Sequence, residues 1–213
     1  EAAFMAFLTA TAFYLAVIIR ANNCKKKTGT VGKELEEEIR FQCPPDEYSP
    51  LATLIFNTEG GTIRQFFRYP EIIAASVDEV DGGMEIVWNL FLYLALWYVF
   101  FVITYGIWVP AGVFIPGMII GCTIGLLYLE LMIQGFNVDL LRLGGQSYLV
   151  IGSSAMLASY TRLTYSLAVL MLETTQAINL FFSIMISILV AFCTASYFNN
   201  SLYDYSIMGK KIP

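Results

Sequence analysis

From Val109 to Gly117 the chain reads Val-Pro-Ala-Gly-Val-Phe-Ile-Pro-Gly, and the residue types in this segment could do chemistry. Pro110, Gly112 and Pro116 interrupt a long apolar run, so two helices are expected to meet at a break here. Pro116 suits the first turn of a helix, because the N–H it lacks would have no intrahelical acceptor there. Such a helix would aim its positive end and its first amides, those around Val113, Phe114 and Ile115, at whatever occupies the break. That arrangement holds an anion inside a membrane without a full counter-charge. Gly112 would let backbone come close to an ion. A Pro/Gly kink with no ligand is the other reading that these residues leave open.

Other chemically capable residues are sparse. The sequence contains no histidine, which removes imidazole acid/base chemistry and the commonest metal ligand. Cys122 and Cys193 fall in apolar runs, where a thiol is a small core residue. Cys24 and Cys43 flank a polar stretch, so that a disulfide and two free thiols both stand open. Arg162 and Glu173 sit in apolar surroundings, where a lone charge costs on the order of 3 kcal/mol, so both need partners or water. Taken by itself, Tyr203 reads as an aromatic at a membrane interface. No nucleophile with a base and no metal-ligand cluster stands out, so neither an enzyme nor a metal or cofactor is expected. The net charge of −5 gives no reason to expect nucleic acid.

The elements that must position these residues are membrane helices. Of the 213 residues, 57% are hydrophobic and 14% charged, against roughly a quarter charged in soluble domains. Ala2–Ile19, Ile86–Leu129, Leu143–Thr161 and Thr174–Tyr203 contain no charged residue, and several reach the roughly 20 residues that cross a bilayer. The first run begins with Glu1 and not with a basic region, so it reads as a membrane helix of a longer protein and not as a signal peptide. From about 20 to 85 the chain is polar and reads as a solvated loop, with turn signals at Cys43–Asp46 and Glu59–Gly61 and two short apolar helices, Leu51–Phe56 and Ile63–Phe67. After the break, Gly117, Gly121 and Gly125 make a smooth stripe for close helix packing. Gln146–Ser159, Leu163–Thr174 and Ile178–Phe198 follow as helices, the middle one too short to span comfortably. The fold class is all-α, a polytopic membrane protein with tilted, broken and partly inserted helices.

Gly112-Val113-Phe114-Ile115-Pro116 matches the GxFxP motif of the CLC family of chloride channels and chloride/proton exchangers, and the string from Tyr105 to Gly117 resembles the family's stretch around it. Gly152–Ala158, Thr161–Leu167 with Arg162, and Leu172-Glu173-Thr174 resemble the penultimate helices, and Ser201-Leu202-Tyr203-Asp204 resembles the start of the last one. The resemblance covers nearly all of 1–213 and identifies the carboxy-terminal half of the membrane domain. It implies that the amides of Val113 and Phe114 and the Tyr203 hydroxyl coordinate chloride, with Arg162 and Glu173 as structural charges. It also implies an amino-terminal half carrying the gating and proton glutamates, a homodimer in lipid, and Cys24 and Cys43 on the luminal or outer side. Leu167, Leu170, Met171, Ile184 and Ile188 would be greasy surface available to the dimer contact. The loop Phe41–Thr58 is most similar to endosomal and lysosomal members, favouring exchange over a voltage-gated channel. Outside transport, an unrelated multi-helix receptor or membrane enzyme is the competing class.

Overall fold

The computed structural model describes residues 2–20, 24–26, 39, 41–44, 47–75, 83–105, 112–136, 144–175 and 178–210. The helices are α1 (Ala2–Ile19), α2 (Pro50–Phe56), α3 (Glu59–Ala75), α4 (Gly83–Tyr105), α5 (Phe114–Phe136), α6 (Gln146–Thr161), α7 (Tyr165–Thr175), α8 (Phe181–Phe198) and α9 (Leu202–Lys210), with a 3-10 turn at Ile178–Leu180. A ribbon of two-residue strands, β1 (Lys25–Lys26) and β2 (Glu47–Tyr48), is the only departure from helix among the described elements. Four helical segments, Ala2–Ile19, Ile86–Tyr105, Phe114–Gly135 and Ile178–Gly209, are long and apolar enough to cross a membrane. The all-α, multi-pass expectation holds. At about 1.5 Å per residue, the 11 residues of α7 reach roughly half of a ~30 Å hydrocarbon core, as expected of a partly inserted helix.

Two compact units divide the chain after Val113. In the first, α1 is anchored to α4 by Arg20, whose guanidinium donates to Asn89 Oδ1 at 3.0 and 3.1 Å. Phe13 packs on Phe100 and Trp97 beside that tie. The segment read as a solvated loop is more structured than expected. Pro50 opens α2, Ser49 caps it, and Leu51 and Ala52 are buried. The Glu59–Gly61 turn signal is corrected to a helix start, because the Thr58 hydroxyl accepts the Gly61 amide at 3.2 Å and nucleates α3. The short helix expected at Ile63–Phe67 is therefore part of a 17-residue one, with Phe66 buried edge-on against Tyr93 of α4. A disulfide joins Cys24 to Cys43 beside the β1–β2 ribbon.

The second unit is built around α6, buried along Leu149, Val150, Ser153, Leu157 and Ala158. Its polar side chains are satisfied internally: Ser153 donates to Val150 O at 2.9 Å and Thr161 to Leu157 O at 2.6 Å, which leaves a smooth surface for neighbours. Against it lies the glycine stripe of α5. A β-carbon at Gly121 would sit 2.7 Å from Gly152 O, and one at Gly125 3.0 Å from the Tyr148 carbonyl carbon. Only glycine permits this backbone approach. On another face α8 packs against α6, where the Ser154 and Ser187 hydroxyls meet at 3.0 Å. The surface expected at Leu167, Leu170, Met171, Ile184 and Ile188 is corrected: all but Leu170 are at most 2% exposed and belong to this unit's core. Lipid-facing and core positions are both apolar in a membrane helix, so residue type alone did not separate them.

Candidate functional site

The chain enters α5 through Gly112 and Val113, which are not helical, and the helix begins at Phe114 with Ile115 and Pro116 in its first turn. Pro110 and Ala111 lie outside the described residues, but α4 ends at Tyr105, so the long apolar run is broken as the prolines require. First-turn amides have no acceptor within their own helix, and the macrodipole makes that end positive. Gly112 is exposed, and a β-carbon there would meet nothing within 4 Å. Val113, Phe114 and Pro116 are half-buried, and Ile115 is 44% exposed.

Tyr203 lies in the first turn of α9, and its placement follows from local chemistry. Ser201 Oγ accepts the Asp204 amide at 3.0 Å, and the Asp204 carboxylate accepts the Ser201 amide at 3.3 Å. This reciprocal cap starts α9 and commits the Asp204 carboxylate to backbone. Arg162 fixes the preceding segment. Its guanidinium donates to the carbonyls of Phe192 at 3.3 Å, Ala195 at 2.8 Å and Asn199, and to the Ser196 hydroxyl. It therefore adds a charged donor to carbonyls of the last turns of α8, one of which, Ala195 O, also accepts the Asn199 amide at 3.0 Å, and a cation is favoured at that end by the dipole. The backbone of Arg162 adopts a left-handed conformation, φ 61°, that ends α6 and turns its side chain onto α8. Glu173 is exposed on α7.

Tyr160 of α6 lies against the first turn of α5, and the sequence analysis did not single it out. A β-carbon on Gly117, in the first turn of α5, would collide with the Tyr160 hydroxyl and lie 2.8 Å from its Cζ. Both α5 and α9 pack against α6, the helix that carries Tyr160. A glycine on the packing stripe gave no separate signal for this contact. Glu130 was also missed, although a lone carboxylate in an apolar helix is a usable signal. It is 2% exposed, and Gln134 donates to it at 3.4 Å.

Several apolar spans, a helix broken at Pro/Gly, and a capped terminal helix place the chain among multi-pass helical membrane proteins. The sequence profile of the family described as voltage gated chloride channel matches residues 1–196, and the chain belongs to that family. Among its relatives, chloride channel protein CLC-d of Arabidopsis thaliana is 32% identical over 89% of this chain and 22% of its own length. The H(+)/Cl(-) exchange transporter 7 of Homo sapiens is 29% identical over 100% of this chain and 24% of its own. Chloride channel protein C of Dictyostelium discoideum is 25% identical over 100% of this chain and 27% of its own. The chain thus spans about a quarter of the length of these relatives.

Proposed function

We propose that this chain is the carboxy-terminal half of a chloride/proton exchanger of intracellular membranes. Its amides at Val113 and Phe114, in the Gly112–Pro116 turn, together with the Tyr203 hydroxyl, hold chloride midway through transport. The observation that supports this reading is the helix start at Phe114 after the non-helical Gly112 and Val113, together with Tyr203 in the first turn of α9. Amides and phenols are donors without a full charge, so the anion is bound yet released. Arg162 and Glu173 have no part in binding the ion; Arg162 positions the α8–α9 turn. The amino-terminal half supplies the remaining donors and the proton-handling carboxylates, two copies assemble in lipid, and chloride is the bound substrate, with no further cofactor.

Exchange is favoured over a channel by the Phe41–Thr58 segment, which resembles endosomal and lysosomal members, and relatives named as H(+)/Cl(-) exchange transporters support it. Relatives named as chloride channels keep the channel as the second reading. The intact protein reconstituted in vesicles separates the two. An outward chloride gradient drives uphill proton entry in an exchanger, whereas chloride flux without proton movement establishes the channel. Absence of any chloride flux refutes both.

A further inference from the structure

We propose that Arg162 is the positioning residue for Tyr203: by holding the carbonyl of Asn199 it sets where α9 begins, and so where the Tyr203 hydroxyl meets the transported anion. This inference rests on the reading of Tyr203 as an anion donor.

Three observations carry it. First, one guanidinium from the end of α6 ties together the end of α8 and the turn beyond it. It donates to Phe192 O at 3.3 Å and Ala195 O at 2.8 Å, both in α8, to the Ser196 hydroxyl, and to Asn199 O. Asn199 is extended, φ −146° and ψ 162°, so its carbonyl already belongs to the turn and not to α8. Second, only Asn200 separates that held carbonyl from the cap of α9. Ser201 Oγ accepts the Asp204 amide at 3.0 Å, the Asp204 carboxylate accepts the Ser201 amide at 3.3 Å, and Ser201 O accepts the Tyr205 amide at 3.2 Å. Tyr203 lies inside this capped turn. Two fixed points one residue apart leave the backbone little freedom, so the direction of α9 follows the clamp. Third, Arg162 holds a left-handed backbone, φ 61°, a conformation that strains any residue with a β-carbon and that glycine ordinarily takes at a helix end. Backbone strain at an arginine is offset here by what its side chain binds.

A planar guanidinium suits this task because its N–H groups leave in fixed directions and serve several acceptors at once, which a single ammonium does not reproduce. Hydrogen bonds weaken steeply with angle, so a small rotation of α9 costs the anion its phenol donor without unfolding the helix.

The test uses the intact protein reconstituted in vesicles, with chloride flux measured against chloride concentration and the nitrate/chloride selectivity ratio read alongside. Arg162→Gly removes the guanidinium while suiting the left-handed backbone, and Arg162→Lys keeps the charge without the fork. Both should raise chloride KM by about threefold to tenfold, part of the factor of about tenfold or more for one hydrogen bond to a charged group. Both should also shift selectivity in the direction that Tyr203→Phe shifts it. Combined with Tyr203→Phe, either substitution should change KM by less than about twofold further, because the hydroxyl it misplaces is already gone. Effects that multiply in the double variants mean that Arg162 acts elsewhere, and they overturn the inference. A wild-type KM in Arg162→Lys means that charge alone suffices, and it overturns the inference too. Wild-type KM and selectivity in both Arg162 variants, with Tyr203→Phe impaired, overturn it while leaving the site reading intact. If Tyr203→Phe handles chloride as wild type does, the site reading falls and the inference with it. Should Arg162→Gly fail to fold, the Arg162→Lys and Tyr203→Phe pair decides the matter.

Discussion

Replacing Gly121 with alanine should loosen the second unit, and replacing Gly135 on the same helix should not. At Gly121 the added carbon would lie 2.5 Å from Ser153 Cα and 2.7 Å from Gly152 O, both on the α6 main chain. Backbone cannot swing aside as a side-chain tip can. Contact between carbons at rest is about 3.5–4.0 Å, so α5 and α6 must separate by roughly 1 Å. A gap of that size forfeits about a quarter to a half of each dispersion contact along the seam, at about 0.1–0.2 kcal/mol for every atom pair. The total falls in the range of about 1–3 kcal/mol known for overpacked cores. At Gly135 a β-carbon meets nothing within 4 Å. Alanine there removes only the unfolded chain's extra freedom and stabilises by about 0.4–1 kcal/mol. Thermal unfolding of the detergent-purified intact protein reads both, with Gly121→Ala melting lower than wild type and Gly135→Ala at or above it. Equal effects of the two, in either direction, would refute the claim that the stripe is a backbone contact.

Arg162→Gln should destabilise by about 1.5–3 kcal/mol for each charged hydrogen bond lost at the end of α8. Limited proteolysis should then cut near Asn199 in the variant and not in wild type. Cys24→Ser should cost on the order of 3 kcal/mol of local stability, from a sequence separation of 19 residues. The same loss should appear when the wild type unfolds under reducing conditions and be absent in the variant. Ser201→Ala should cost about 1 kcal/mol of α9 capping and weaken chloride binding through Tyr203, whereas Ser201→Thr keeps the hydroxyl and both properties. Chloride-dependent unfolding separates these outcomes.

The residues that made the fold legible are those that punctuate it. Charge-free runs located α1 and α4 within a few residues, and Pro110, Gly112 and Pro116 located the start of α5. The spacing of Gly117, Gly121 and Gly125 announced a close partner, which is α6. Ser201 and Asp204, three residues apart, cap α9 reciprocally. Other features depended on partners distant in sequence. Glu59-Gly60-Gly61 carries a turn signal, yet Thr58 supplies a cap that converts it to helix. Leu167, Met171, Ile184 and Ile188 are buried within the unit, and Leu170 and Leu189 face outward, without any difference in residue type. The Tyr160 contact required a glycine on one helix to face a tyrosine on another, which no local pattern specifies.

The allocation of charge near the start of α5 bears on how an anion could be both held and released. Among the described residues from Phe114 to Gly209, Arg162 is the only cation, and its guanidinium is already engaged by the carbonyls at the end of α8. It is satisfied there by partial negative charges and offers no bare counter-ion to the site. The one acid beside Tyr203, Asp204, is likewise occupied by the Ser201 amide. Both charges are thus committed to groups that shape the α8–α9 turn. Among the described residues, what the proposed site would offer an anion is neutral: first-turn amides, the helix dipole and a phenol. In a low-dielectric setting such donors act over short distances and strengthen together, whereas a lone cation would bind chloride too tightly to let it move on. Introducing a cation at the site, as in Ile115→Lys, should therefore tighten chloride binding and slow turnover together. Higher affinity with undiminished flux would refute the argument that neutrality is what permits release.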